Sequence, residues 1–93
     1  VKTTDLTYLA QALGTLTSTE ERSAFLRDIC TLKEIASLAE RLRIAERLNQ
    51  GVSYREIAEE LQISTTTVTR VAHWYHHGEG GYDAVLSRLH RKV

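Results

Sequence analysis

Ser18 stands three positions before Glu21, Thr31 three before Glu34, and Ser53 three before Glu56. Each pair can satisfy two free amides at a helix start, one through the hydroxyl and one through the carboxylate. Behind each pair, apolar residues recur at every third or fourth position, as one face of a helix requires. No proline interrupts the chain, and alanine, leucine, glutamate and arginine are plentiful, which favours helix throughout. The sequence therefore predicts an all-α fold of six helices and no strand.

The first helix is expected over about Thr4 to Leu16, with Leu6, Leu9, Leu13 and Leu16 on one face. The second follows the Ser18 cap to about Asp28 and buries Phe25, Leu26 and Ile29. These two, within residues 1–30, suit core or dimer packing. Residues 31–50 carry the longest pattern: Leu32, Ile35, Leu38, Ala39, Leu42, Ala45 and Leu48, closed by Gly51. With Ile44 added, the apolar band covers more than half of the circumference, which predicts a central helix packed on several sides. Arg41, Arg43 and Arg47 occupy its remaining face, with Glu40 and Glu46 as pairing partners. After residues 53–77 comes Gly78-Glu79-Gly80-Gly81, which stops a helix and permits positive backbone dihedrals. A last helix, within 82–92 and running from Tyr82 to about Arg91, shows Tyr82, Val85, Leu86 and Leu89 on one face.

At 93 residues the chain reads as a single domain, 1–93, near the lower limit for a self-supporting core. A second copy would relieve the shortage of buried surface, so a homodimer is expected. Twelve basic residues balance 12 acidic ones, which argues against indiscriminate coating of nucleic acid. Their distribution is uneven. Acids are frequent up to Glu60 and absent from Leu61 to Gly78, where Arg70, His73, His76 and His77 lie. Arg88, His90, Arg91 and Lys92 follow. One positive face on a neutral molecule is the expectation. The lone cysteine, Cys30, excludes an internal disulfide. With no apolar run long enough for a membrane and no signal-peptide core, the chain is expected in the cytoplasm.

Residues 53 to 72 carry the function. Ser53 and Glu56 start one short helix, on which Ile57 and Leu61 face inward and Ala58 is small enough for close approach by the next. Ile63 plugs the turn, Ser64 caps a second helix, and Val68, Val71 and Ala72 face inward from it. This is the apolar spacing of a helix-turn-helix, whose second helix enters the major groove of double-stranded DNA. The outward residues fit that task. Thr65, Thr66, Thr67 and Thr69 offer methyls for thymine and hydroxyls for base edges or phosphate, at a cost in helix propensity. Arg55 and Arg70 supply guanidinium groups for guanine or backbone oxygens, and Tyr54 and His73 flank them. At the turn, where glycine is the usual residue, stands Gln62, and a less comfortable conformation is expected there.

Other chemistry has less support. His73, His76 and His77 share one helical face, so a metal-responsive DNA-binding regulator is an alternative, although no metal ligand set is assigned. A helix-turn-helix adaptor or transposase-associated domain is another. An enzyme is not expected: Cys30 has no fixed partner, Ser64 has no nearby base, and the glycines at 78–81 lack the lysine of a phosphate loop. No cofactor is expected.

From residue 31 to residue 73 the sequence resembles the Trp repressor family, most specifically in Ser53-x-Arg55-Glu56-Ile57 and Thr67-Val68-Thr69-Arg70. It is closer still to Trp-repressor-like bacterial proteins that share Asp28-Ile29-Cys30-Thr31 and Gly80-Gly81-Tyr82. The resemblance implies a six-helix intertwined dimer, its N-terminal helices interlocked with the partner's, acting as a repressor at a palindromic operator. It also implies an effector pocket in which two arginines, here Arg41 and Arg70, sandwich a bound indole. Around them the chain departs from the family. Asp28 and Cys30 would replace two leucines, and Val71 and Trp74 would replace a glycine and a serine. A valine fills volume and a buried acid beside indole costs desolvation. Free tryptophan is therefore not expected as corepressor, the small-molecule effector is unknown, and Trp74 is expected to occupy part of the slot.

Overall fold

The computed structural model describes residues 2–89. Among them the chain forms α1 (Thr3–Gly14), α2 (Thr19–Ile29), α3 (Leu32–Asn49), α4 (Tyr54–Leu61), α5 (Thr65–His77) and α6 (Gly81–Leu89), with no strand. The expected extension of the last helix to Arg91, and the basic residues His90, Arg91 and Lys92, lie outside the described residues. No described helix is long and apolar enough to cross a membrane.

The caps account for the boundaries. Glu21 N–H donates to Ser18 Oγ at 3.0 Å, while the Glu21 carboxylate reaches one residue further back, to the N–H of Thr17 at 3.0 Å and its hydroxyl at 3.3 Å. Those bonds hold the Glu21 carboxyl below its ordinary range. At Thr31 the box is fully reciprocal: Thr31 N–H donates to Glu34 Oε1 at 2.8 Å and Glu34 N–H to Thr31 Oγ1 at 3.1 Å. At Ser53 the hydroxyl accepts from Glu56 N–H at 3.2 Å and donates to the Glu56 carboxylate at 3.0 Å. The first helix ends at Gly14, two residues before the expected Leu16, because the Thr15 hydroxyl bonds back to the Ala12 carbonyl at 2.7 Å. At the end of α3, Gly51 takes φ +81°, and Val52 N–H bonds to the Arg47 carbonyl while Gly51 N–H bonds to that of Leu48. This is a Schellman closure.

The chain divides into two compact units, the boundary falling within α3: the first ends at Ala36 and the second opens at Ser37. In the first unit α1 and α2 contain no buried residue. Phe25 is half-buried, but Leu6, Leu9, Leu13, Leu26, Ile29 and Leu32 stay exposed, Leu6 at 61% and Leu32 at 67%. The expected burial of Leu26 and Ile29 is thus not achieved among the described residues.

The second unit holds the core. Ile44 and Ala45 from α3, Ile57 and Ala58 from α4, Val68 and Val71 from α5, and Leu86 from α6 pack together. Leu42, Leu48, Val52, Leu61, Ile63, Tyr75 and Tyr82 are half-buried around them. The expectation for α3 holds in its C-terminal half alone, since Leu38 is exposed despite its place in the apolar band. Arg47 ties α3 to α4: its Nε donates to both carboxylate oxygens of Glu60, at 2.9 and 3.1 Å, and its Nη1 to Glu46 at 3.2 Å. Tyr75 ties α5 to α3 by donating to Asn49 Oδ1 at 2.8 Å. Burial, with Asp83 nearby, pushes its hydroxyl up. Past α5, a side chain at Gly78 would collide with the Trp74 carbonyl oxygen, and Gly80 takes φ +82°.

Candidate nucleic-acid interface

Helices α4 and α5 form a compact pair because the inward residues of each are apolar and matched in size. Ile57 and Val68 are fully buried, and Ala58, Val71 and Ala72 are nearly so. Between them the chain turns through Gln62, the sole non-glycine residue with positive φ among those described, at φ 57° and ψ 48°. Ile63 N–H bonds to the Ala58 carbonyl at 3.0 Å and Gln62 N–H to that of Glu59 at 3.4 Å. The hydrogen bonds of a glycine closure are therefore made with glutamine in the left-handed position. Ser64 caps α5 by accepting from Thr67 N–H at 3.1 Å.

With about 100° of turn per residue, Thr65, Thr69, His73, Thr66 and Arg70 fall in that order on an arc of about 140°. All five are exposed, and the buried Val68, Val71 and Ala72 lie opposite or beside the arc. No acid stands on α5. Arg55 on α4 is also free to reach outward: its side chain is 88% exposed and meets Glu59 loosely at 3.8 Å. Tyr54 opens α4 and is exposed. The His73 ring lies edge-on to Trp74, with centroids 5.1 Å apart.

Thr67 does not belong to this group. It sits about 200° round the helix from Thr65, is half-buried, and shares a 2.9 Å hydroxyl contact with Ser64. Rather than facing outward with its neighbours, it lines a cavity. The candidate effector residues Arg41, Arg70, Val71 and Trp74 line that same cavity, of about 450 Å³, so α3 and α5 bring together the four residues singled out for it. Arg70 borders both the cavity and the exposed arc. Besides Thr67, the walls include three residues not anticipated there, Ser37, Glu40 and Tyr82. Ser37, Glu40 and Arg41 stand at i, i+3 and i+4 and so share one side of α3, a signal that spacing already contained. Trp74 lines the same cavity, is 64% exposed, and also borders a second, apolar concavity with Leu42 and Val85. Asp28 and Cys30 belong to the first unit, the former exposed and the latter half-buried.

Among the described residues, the three histidines near the end of α5 are not gathered as a ligand set. Their shared face holds ring centroids 5.3 Å apart for His73 and His77 and 6.3 Å apart for His76 and His77. His76 is turned edge-on to Tyr75. Among the described residues no three His, Cys, Asp or Glu side chains gather as a ligand set.

A family model described as Trp repressor protein matches residues 4–90. YerC, an uncharacterized protein of Bacillus subtilis, is 36% identical over 85 residues, covering 91% of this chain and 82% of its own. A TrpR-like protein from Eubacterium eligens, known from its crystal structure, superposes with a TM-score of 0.83 at 39% identity, over 95% of this chain and 91% of that one. A crystallised candidate Trp repressor from Staphylococcus aureus gives a TM-score of 0.84 at 35% identity, over 99% and 92% of the two chains. The family is one of DNA-binding regulators rather than enzymes. With nearly the whole sequence matched and six helices in the same fold, the chain belongs to the Trp repressor family.

Proposed function

We propose that two copies of this chain form a cytoplasmic homodimer that reads a palindromic operator in double-stranded DNA and represses transcription there. The carrying observation is the α5 surface. Thr65, Thr66, Thr69, Arg70 and His73 are exposed together on a helix that has no acid and whose inner face is sealed against α4. Such a helix can lie in a major groove with its N-terminal side chains at the base edges. Arg55 and Tyr54 then stand at the start of the supporting helix, suited to guanine or phosphate oxygens.

Selection of bound duplexes from a random pool tests the proposal. A palindromic consensus is expected. An enriched site without symmetry, or binding to a protein partner alone, would favour a helix-turn-helix adaptor or transposase-associated role. On the selected duplex, Arg55→Ala is expected to weaken binding by about 1–3 kcal/mol, roughly 5- to 150-fold, without loss of fold. Wild-type affinity in that variant would remove α4 from the interface.

The cavity beside α5 is the candidate effector site, and its chemistry disfavours free tryptophan. Val71 forms part of its wall and the half-buried Glu40 adds a carboxylate. Both work against an indole held between Arg41 and Arg70, one by volume and the other by desolvation. Titration calorimetry with L-tryptophan is expected to show no micromolar binding; a micromolar isotherm would reinstate it as corepressor.

A further inference from the structure

The exposed threonines of α5 are not chemically equivalent. Thr69 Oγ1 donates to the Thr65 carbonyl oxygen at 2.9 Å. A threonine hydroxyl has a single proton, and this one is committed to the helix itself. Thr69 therefore has nothing to donate to a phosphate or to an acceptor on a base edge while that bond lasts. What it has left to offer is its γ-methyl and an oxygen that can only accept. For Thr65 and Thr66, by contrast, no hydrogen bond occupies the hydroxyl among the described residues.

We infer that Thr69 is a specificity-determining residue that reads the 5-methyl group of a thymine through its own methyl, while donation to bases and phosphates falls to Thr66 and Thr65. The inference rests on the reading of α5 as the DNA-facing helix and assigns distinct roles within it. In the major groove thymine presents O4 and a methyl, whereas cytosine presents an amino group and a bare C5. A back-bonded threonine meets thymine's methyl with an apolar surface. It offers cytosine at most an acceptor oxygen, which already leans toward the helix. Thr69 is placed for the task one turn into α5, between Thr65 and His73 on the exposed arc, close enough to the helix start to reach a base.

The experiment uses the full chain and a duplex selected from a random pool. Each thymine is replaced in turn by deoxyuridine, which removes the methyl and keeps O4. At one position in each half-site, uracil is expected to weaken wild-type binding about four- to tenfold, the scale of one buried methyl. Thr69→Val keeps a methyl in place and loses the hydroxyl; it should retain the preference for thymine over uracil. Thr69→Ser keeps the hydroxyl and loses the methyl; it should bind more weakly and lose that preference. Thermal melting establishes that both variants fold. Loss of binding in Thr69→Val with retention in Thr69→Ser would show the hydroxyl leaving Thr65 to contact DNA, and overturns the inference. Indifference to uracil at every position overturns it too, while a normal Arg55→Ala defect would leave the groove-reading role of the pair intact. Failure of any duplex to be enriched overturns both.

Discussion

Gln62 occupies a backbone conformation that suits glycine, φ 57° and ψ 48°. A left-handed residue with a Cβ costs roughly 1–2 kcal/mol, and glycine gives back about 0.5–1 kcal/mol of that in chain entropy. Gln62→Gly is therefore expected to stabilise the protein by about 0.5–1 kcal/mol, seen as a rise of roughly 2–8 °C in melting midpoint. A fall would show that the exposed glutamine side chain supports the turn in some other way. The missing glycine was visible in the sequence, as were Thr65, Thr66 and Thr69, because the Ser64 cap and the apolar Val68 and Val71 fix the phase of α5. Thr67 was misplaced for an equally physical reason. A run of like residues reads as one surface, but a helix turns about 100° at each step, and the third threonine of the run points toward Arg41 and Trp74 rather than outward.

Between elements, the Arg47–Glu60 pair ties α3 to α4, with two nitrogen–oxygen contacts from one guanidinium nitrogen and a third contact from Arg47 to Glu46. Local spacing could anticipate Glu46 as a partner of Arg47. It could not anticipate Glu60, because a contact across 13 residues exists only after α3 and α4 pack. Hydrogen bonding to Arg47 holds the Glu60 carboxyl below its ordinary value of 4.5. A carboxyl lowered in the folded state favours folding fully above its unfolded value and ceases to do so as pH falls through the folded one. The wild type should therefore melt above Glu60→Gln at pH 7, and the gap should close as pH drops below 4.5. Paired melts from pH 7 to 3 check this. The comparison with the variant isolates Glu60 from Glu21, whose carboxyl is lowered by separate bonds to Thr17. A gap that persists unchanged at the acid end would mean that the glutamine disturbs packing rather than a charge.

For the whole molecule, the decisive feature is apolar surface without a cover. The helices and the caps at Ser18, Thr31, Ser53 and Ser64 were legible because caps and periodicity are local, whereas what lies against a stripe is not encoded beside it. Helices α1 and α2 have no buried residue, and Leu6, Leu9, Leu13, Leu26, Ile29 and Leu32 remain open in the single chain. The second unit leaves Leu38, Trp74, Val85 and Leu89 open as well. Apolar exposure on both units of a 93-residue chain would favour aggregation unless it is shared with a partner, and a second copy offers matching surface. A palindromic operator needs the same partner, since two reading helices must be held at a fixed separation. Charge on the α1 stripe should then cost both properties together. Leu9→Glu combined with Leu13→Glu is expected to turn a sedimenting dimer into a monomer. It should also weaken binding to a two-half-site duplex by about 10²–10⁴-fold, the loss expected when linked contacts become independent, with much less effect on a single half-site. A wild type that sediments as a monomer at micromolar concentration would remove the dimer from the argument. A double variant that stays dimeric would move the interface away from α1, and the exposed leucines there would need another partner.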